Sequence, residues 1–77
     1  MTRGIVRDYE SHSLIRAIVK RRLALGMSRP RLAELTGISV STLEKFETGQ
    51  NNGLAFAKLL SIVDMLGMDL QMVNKSI

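Results

Sequence analysis

The sequence predicts an all-α bundle of four main helices followed by a short C-terminal β-strand. Three observations carry this. Apolar residues recur at helical spacing in four stretches, each stretch stops at a glycine, and only the segment after Gly67 changes to alternation.

The first helix is expected from Ser11 or Ser13, either of which can cap it, to about Leu25, with Gly26 as its stop. Leu14, Ile15, Ile18, Val19 and Leu23 form its apolar stripe, while Arg16, Lys20 and Arg21 point away. Ser28 is the natural N-cap of the second helix, and Pro30 sits in its first turn, where a missing N–H is harmless. That helix runs to about Thr36, with Leu32, Ala33 and Leu35 facing inward, and Gly37 is the expected left-handed turn residue.

Ser39 caps the third helix, which turns Leu43, Phe46 and Glu47 inward and leaves Val40, Ser41, Glu44, Lys45 and Thr48 outside. The loop GQNNG follows, and the fourth helix is expected from near Leu54 to Gly67. Only Lys58, Ser61 and Asp64 interrupt its apolar surface, so it calls for cover on two sides. Phe56, Leu59, Ile62, Val63, Met65 and Leu66 are therefore candidate contacts with a second subunit. Beyond them, Met68, Leu70 and Met72 alternate with Asp69 and Gln71 as a strand does. A lone strand needs a mate, either its copy in a second subunit or the segment GIVRD at residues 4–8. The organisation expected is an N-terminal arm at 1–10, a domain at 11–67 and a strand or tail at 68–77.

Composition bounds the function. A chain of 77 residues with 45% hydrophobic content can fill one compact core, not two. It has no cysteine and a single histidine, His12, and its acids do not cluster. No nucleophile, base or metal site can be argued from such a set, so the expectation is a non-enzyme without metal, cofactor or small-molecule substrate. No apolar run reaches the length of a membrane span, and a cytoplasmic protein is expected. The net charge of +4 is uneven: residues 1–31 hold eight of the eleven basic residues and only Asp8 and Glu10 among the acids. A basic face of this kind suits an anion such as a phosphate backbone.

Arg22 falls on the stripe of Ile15, Ile18 and Val19, which places a charge near the core. It needs a carboxylate. Glu47, on the inner side of the third helix, is the first candidate and Glu34 the second, and a planar guanidinium can bind such a group through two parallel hydrogen bonds. The rival expectation has Arg22 snorkelling to the surface.

The run from Arg22 to Gly49, RLALGMSRPRLAELTGISVSTLEKFETG, resembles the Cro and phage-repressor type of helix-turn-helix, the XRE family. The likeness covers roughly residues 14–67. It implies a lambda-repressor-like, DNA-binding helix-turn-helix domain whose third helix reads the major groove. Val40, Ser41, Thr42 and Lys45 fall where the family contacts base edges, and Arg29 falls where it usually places a glutamine on phosphate. Thr48, Gln50, Asn51 and Asn52 fall in the loop that grips the backbone, and Ser28, Arg31 and Ser39 are assigned to the backbone with them. The side chains suit these roles: Val40 can meet a thymine methyl, and Lys45 can donate to the acceptors of guanine. Three positions depart from the pattern, namely the fixed charge of Arg29, Pro30 directly after it, and the acid Glu44 near the DNA side.

The ending DMLGMDLQMV is similar to HipB-type antitoxins, dimeric repressors whose C-terminal strands pair across subunits and which bind a kinase toxin. The resemblance thus implies double-stranded DNA and a homodimer partner, with a HipA-like kinase toxin as a further one. Two functions remain open at this level. One is a dimeric repressor reading an inverted repeat; the other is an interaction module that mainly neutralises a toxin, with DNA binding secondary.

Overall fold

The computed structural model describes residues 10–50, 53–72 and 74. Four helices follow in order: α1 (Glu10–Ala24), α2 (Arg29–Thr36), α3 (Val40–Glu47) and α4 (Phe56–Met65). α3 packs on α1 and α2, and α2 also packs on α4. Among the described residues no helix is long and apolar enough to cross a membrane.

One core joins the four. Ile18 from α1, Leu32 from α2, Leu43 and Phe46 from α3, Ile62 and Val63 from α4, and the flanking Ile38 and Leu66 are all buried. Leu14, Ile15, Met27, Ala33, Leu54, Leu59 and Met68 pack around them. Each fully buried aliphatic side chain contributes about 1.5–3 kcal/mol by leaving water. For a chain this small the central positions Leu32 and Leu43, both at 0% exposure, therefore carry much of the fold.

α1 begins by Glu10, so Ser11 and Ser13 lie inside the helix and do not cap it. Serine costs only a few tenths of a kcal/mol at an interior helical position, and that is too little to fix a boundary. Expectations for the arm and for the segment at 4–8 lie outside the described residues. At its other end, α1 closes as expected at Gly26: Met27 N–H donates to Arg22 O and Gly26 N–H to Leu23 O, both at 3.0 Å. α4 ends in the same way, with Met68 N–H on Val63 O and Gly67 N–H on Asp64 O, and this brings Met68 back against the core.

α4 starts two residues later than the expected Leu54. Its N-cap is Ala55, which has no side-chain acceptor to offer. Leu54 instead lies before the helix, and it and Leu59 both pack on the core, the two positions at which a hydrophobic staple fixes the entry of a helix.

Two further expectations are corrected. Ile62, Val63 and Leu66, taken for subunit contacts, are 0–4% exposed within the chain's own core and have no surface to give a partner. Three of the six contacts expected from this segment are thus used internally. Phe56 and Met65 remain exposed, as do Leu70 and Met72 beyond the helix, while Leu59 and Met68 are half-buried. The strand expected at Met68–Met72 is not formed: residues 68–72 are irregular, and no strand occurs among the described residues. The reason is physical, since a strand exists only through hydrogen bonds to a neighbour, and no described segment pairs with this one.

Candidate nucleic-acid interface

The α2–turn–α3 unit is held by short-range hydrogen bonds that its sequence dictates. Ser28 Oγ accepts from Arg31 N–H at 3.1 Å and so satisfies one of α2's free amides. At the far end Thr36 Oγ1 donates to Leu32 O at 2.8 Å and accepts from Ile38 N–H at 3.3 Å. Gly37 then turns the chain with φ 74° and donates its N–H to Ala33 O at 2.8 Å. A side chain at that φ would cost about 1–2 kcal/mol. Ile38 drops into the core, and Ser39 starts α3 by accepting from Thr42 N–H at 3.1 Å.

α3 is therefore fixed before any partner arrives. Leu43 and Phe46 are buried beneath it, and Val40, Ser41, Glu44, Lys45 and Thr48 are exposed. At 100° per residue these five positions cover roughly 140° of its circumference, one continuous outward arc. Val40 is 41% exposed, and neither Ser41 nor Lys45 is engaged through its side chain by another described residue. Thr42 differs from the other expected base readers: it is half-buried, and its hydroxyl accepts from Ser39 Oγ at 2.8 Å.

The residues assigned to the DNA backbone divide as well. Ser28, Ser39, Arg31 and Gln50 are exposed. Arg31 pairs at 2.6 Å with Glu34, three residues on, an exposed ion pair of the kind worth at most about 1 kcal/mol. Thr48 has turned its hydroxyl proton inward, onto Glu44 O at 2.9 Å and Lys45 O at 3.2 Å. Asn51 and Asn52 lie outside the described residues.

Arg22 and Glu47 form the ion pair expected of them. Arg22 Nε donates to Glu47 Oε2 at 2.7 Å, its Nη2 donates to Oε1 at 2.8 Å, and its Nη1 donates to Met27 O at 2.8 Å. The two side chains are 8% and 2% exposed, so Arg22 does not snorkel. Glu34, the second candidate, faces Arg31 at the surface.

Two arginine contacts were not legible in the sequence. Arg29 Nε also donates to Glu47 Oε1, at 2.8 Å, so one carboxylate holds two guanidinium groups. Burial pushes the Glu47 carboxyl up, but the hydrogen bonds and charges of Arg22 and Arg29 outweigh it, and its pKa lies below the usual carboxylate value. The same hydrogen bond, with the Glu47 charge behind it, raises Arg29. Arg21, counted among the outward residues of α1, donates from Nε to Leu66 O at 2.9 Å and so caps the C-terminal end of α4. No short-range pattern announces either bond, because the partners lie 18 and 45 residues away.

No curated protein matches the chain. A family model described as a helix-turn-helix domain matches residues 15–75, a span that begins within α1 and includes the whole α2–turn–α3 unit with its outward arc. The chain belongs to the helix-turn-helix domain family.

Proposed function

We propose that this protein is a homodimeric, sequence-specific DNA-binding repressor of the XRE type, with α3 as its recognition helix. The observation that carries the reading is the outward arc of Val40, Ser41 and Lys45 on a helix locked in place by Ser28, Gly37 and Ser39. A short rigid helix with one apolar, one hydroxyl and one cationic side chain facing out can meet a thymine methyl and the acceptors of guanine. A two-fold pair of such helices reads half-sites about one helical turn apart, so the operator is an inverted repeat. The exposed apolar side chains of Phe56, Leu60, Met65, Leu70 and Met72 support the dimer, because they belong to α4 and its tail and not to the recognition helix.

The test is a gel-shift titration against the DNA immediately upstream of this protein's gene, with a scrambled duplex alongside. Tighter binding to the upstream duplex supports operator recognition. Equal binding to both removes it.

A second reading draws on the same exposed apolar side chains: an antitoxin of the HipA/HipB kind, in which holding a kinase toxin is the main task and DNA binding is secondary. Its sequence support is the apolar fourth helix together with the tail, DMLGMDLQMV. Co-purification with a kinase encoded beside this gene favours the antitoxin reading, and a neighbourhood without such a gene favours the plain repressor.

A further inference from the structure

Arg29 is the first residue of α2 and is only partly covered, with its side chain 36% exposed. Its Nε is committed to Glu47, whereas neither of its Nη nitrogens has an acceptor among the described residues. Glu47 cannot follow Arg29 outward, since Arg22 holds both of its oxygens from the other side and its own side chain is 2% exposed. Arg29 opens α2 and Glu47 is the last residue of α3, so the bond between them holds this guanidinium beside the C-terminal end of α3.

An arginine can be anchored through Nε and still present two further nitrogens in a fixed plane. A lysine carries all its donors on one nitrogen, so an ammonium held on the carboxylate has no second nitrogen reaching outward in a fixed plane. We propose that Glu47 is a positioning residue for the DNA grip, holding Arg29 so that its two Nη groups are presented to a phosphate beside α3. The inference rests on the DNA-binding reading above. The arginine's rotamer freedom is thereby given up on folding, so less is lost when the phosphate arrives. The buried ion pair and the backbone grip then form one network: Arg22 fixes Glu47, and Glu47 fixes Arg29.

The experiment is a set of anisotropy titrations over a range of salt, on the upstream duplex and on a scrambled one. The variants are Arg29→Ala, Arg29→Lys, Glu47→Gln and Arg29→Ala combined with Glu47→Gln. Arg29→Lys is expected to lose about as much affinity as Arg29→Ala, roughly tenfold on both duplexes, although it keeps the charge. Arg29→Ala should reduce the slope of log affinity against log salt by about one for each subunit of the dimer, which a purely structural role would not do. Glu47→Gln should weaken binding in the native background and leave it unchanged in the Arg29→Ala background. Circular dichroism identifies the variants folded at the working temperature, and where Glu47→Gln is not, the comparison of lysine with alanine at position 29 decides alone. Native-like affinity in Arg29→Lys, or an equal loss from Glu47→Gln in both backgrounds, overturns the proposal. If the native protein binds neither duplex, the DNA reading falls and takes this inference with it.

Discussion

Removing Glu47 and removing Arg22 should not be equivalent, although the two form one ion pair. In Glu47→Ala the Arg22 guanidinium stays buried with Met27 O as its one acceptor among the described residues, and Arg29 loses its anchor as well. Breaking a buried pair so that one charge is left unpaired costs about 3–5 kcal/mol. In Arg22→Met, by contrast, Glu47 still accepts from Arg29 at 2.8 Å, and the methionine can fill the space of the arginine stem. The loss is then mainly charge-assisted hydrogen bonding, about 1.5–3 kcal/mol. A domain of this size has about 4–12 kcal/mol of stability in all, so Glu47→Ala removes a large part of it. At about 4–8 °C per kcal/mol, the loss from Glu47→Ala corresponds to a Tm lower by at least about 12 °C, and Arg22→Met should fall by distinctly less. Thermal and urea unfolding followed by circular dichroism at neutral pH measure both. If Arg22→Met proved as damaging as Glu47→Ala, or worse, Arg29 would not be a second counter-charge for Glu47, and the three-residue network would be wrong.

The same carboxylate sets an acid limit. Its folded pKa is below the unfolded one, so its contribution is complete above the ordinary carboxylate range and fades as pH falls through the lower folded value. Urea titrations stepped down from pH 6 should show native stability dropping in that acid window and a shallower drop in Glu47→Gln; parallel curves would assign the acid loss to other groups. On the DNA side, Lys45→Ala should weaken binding to the preferred duplex by about 1–3 kcal/mol and relax the preference at one base pair, as read from a panel of single-base operator variants. A uniform loss across the panel would make Lys45 a backbone contact. Replacing Phe56 and Leu60 together by aspartate removes two exposed side chains, at 64% and 41%, with little effect on the core. Sedimentation should then show a monomer with native circular dichroism, and an unchanged dimer would move the interface elsewhere.

What could be read in advance follows the range of the interactions. The caps Ser28 and Ser39 and the turn at Gly37 act within four residues, and all three stand where local chemistry puts them. Arg22 and Glu47 are 25 residues apart, yet each lies on the apolar stripe of its own helix, and the scarcity of inward charges left few ways to pair them. Thr42 and Thr48 were less legible. A threonine hydroxyl suits a base or a phosphate as well as it suits Ser39 Oγ or a helix carbonyl, and residue type does not choose between them. α4 misled in another way, because an apolar pattern spread over most of its surface marks no unique inner face.

Within the sequence alone lay the bundle of four helices, the rigid α2–turn–α3 unit and the outward arc of Val40, Ser41 and Lys45, all consequences of helical periodicity and local hydrogen bonding. Tertiary packing decided the rest. It chose Ile62, Val63 and Leu66 for the core and left Phe56, Leu60 and Met65 outside. It also brought Arg21 to the end of α4 and seated Arg29 beside Arg22 on one carboxylate. These contacts depend on where separate helices cross, and no pattern along a single helix records that.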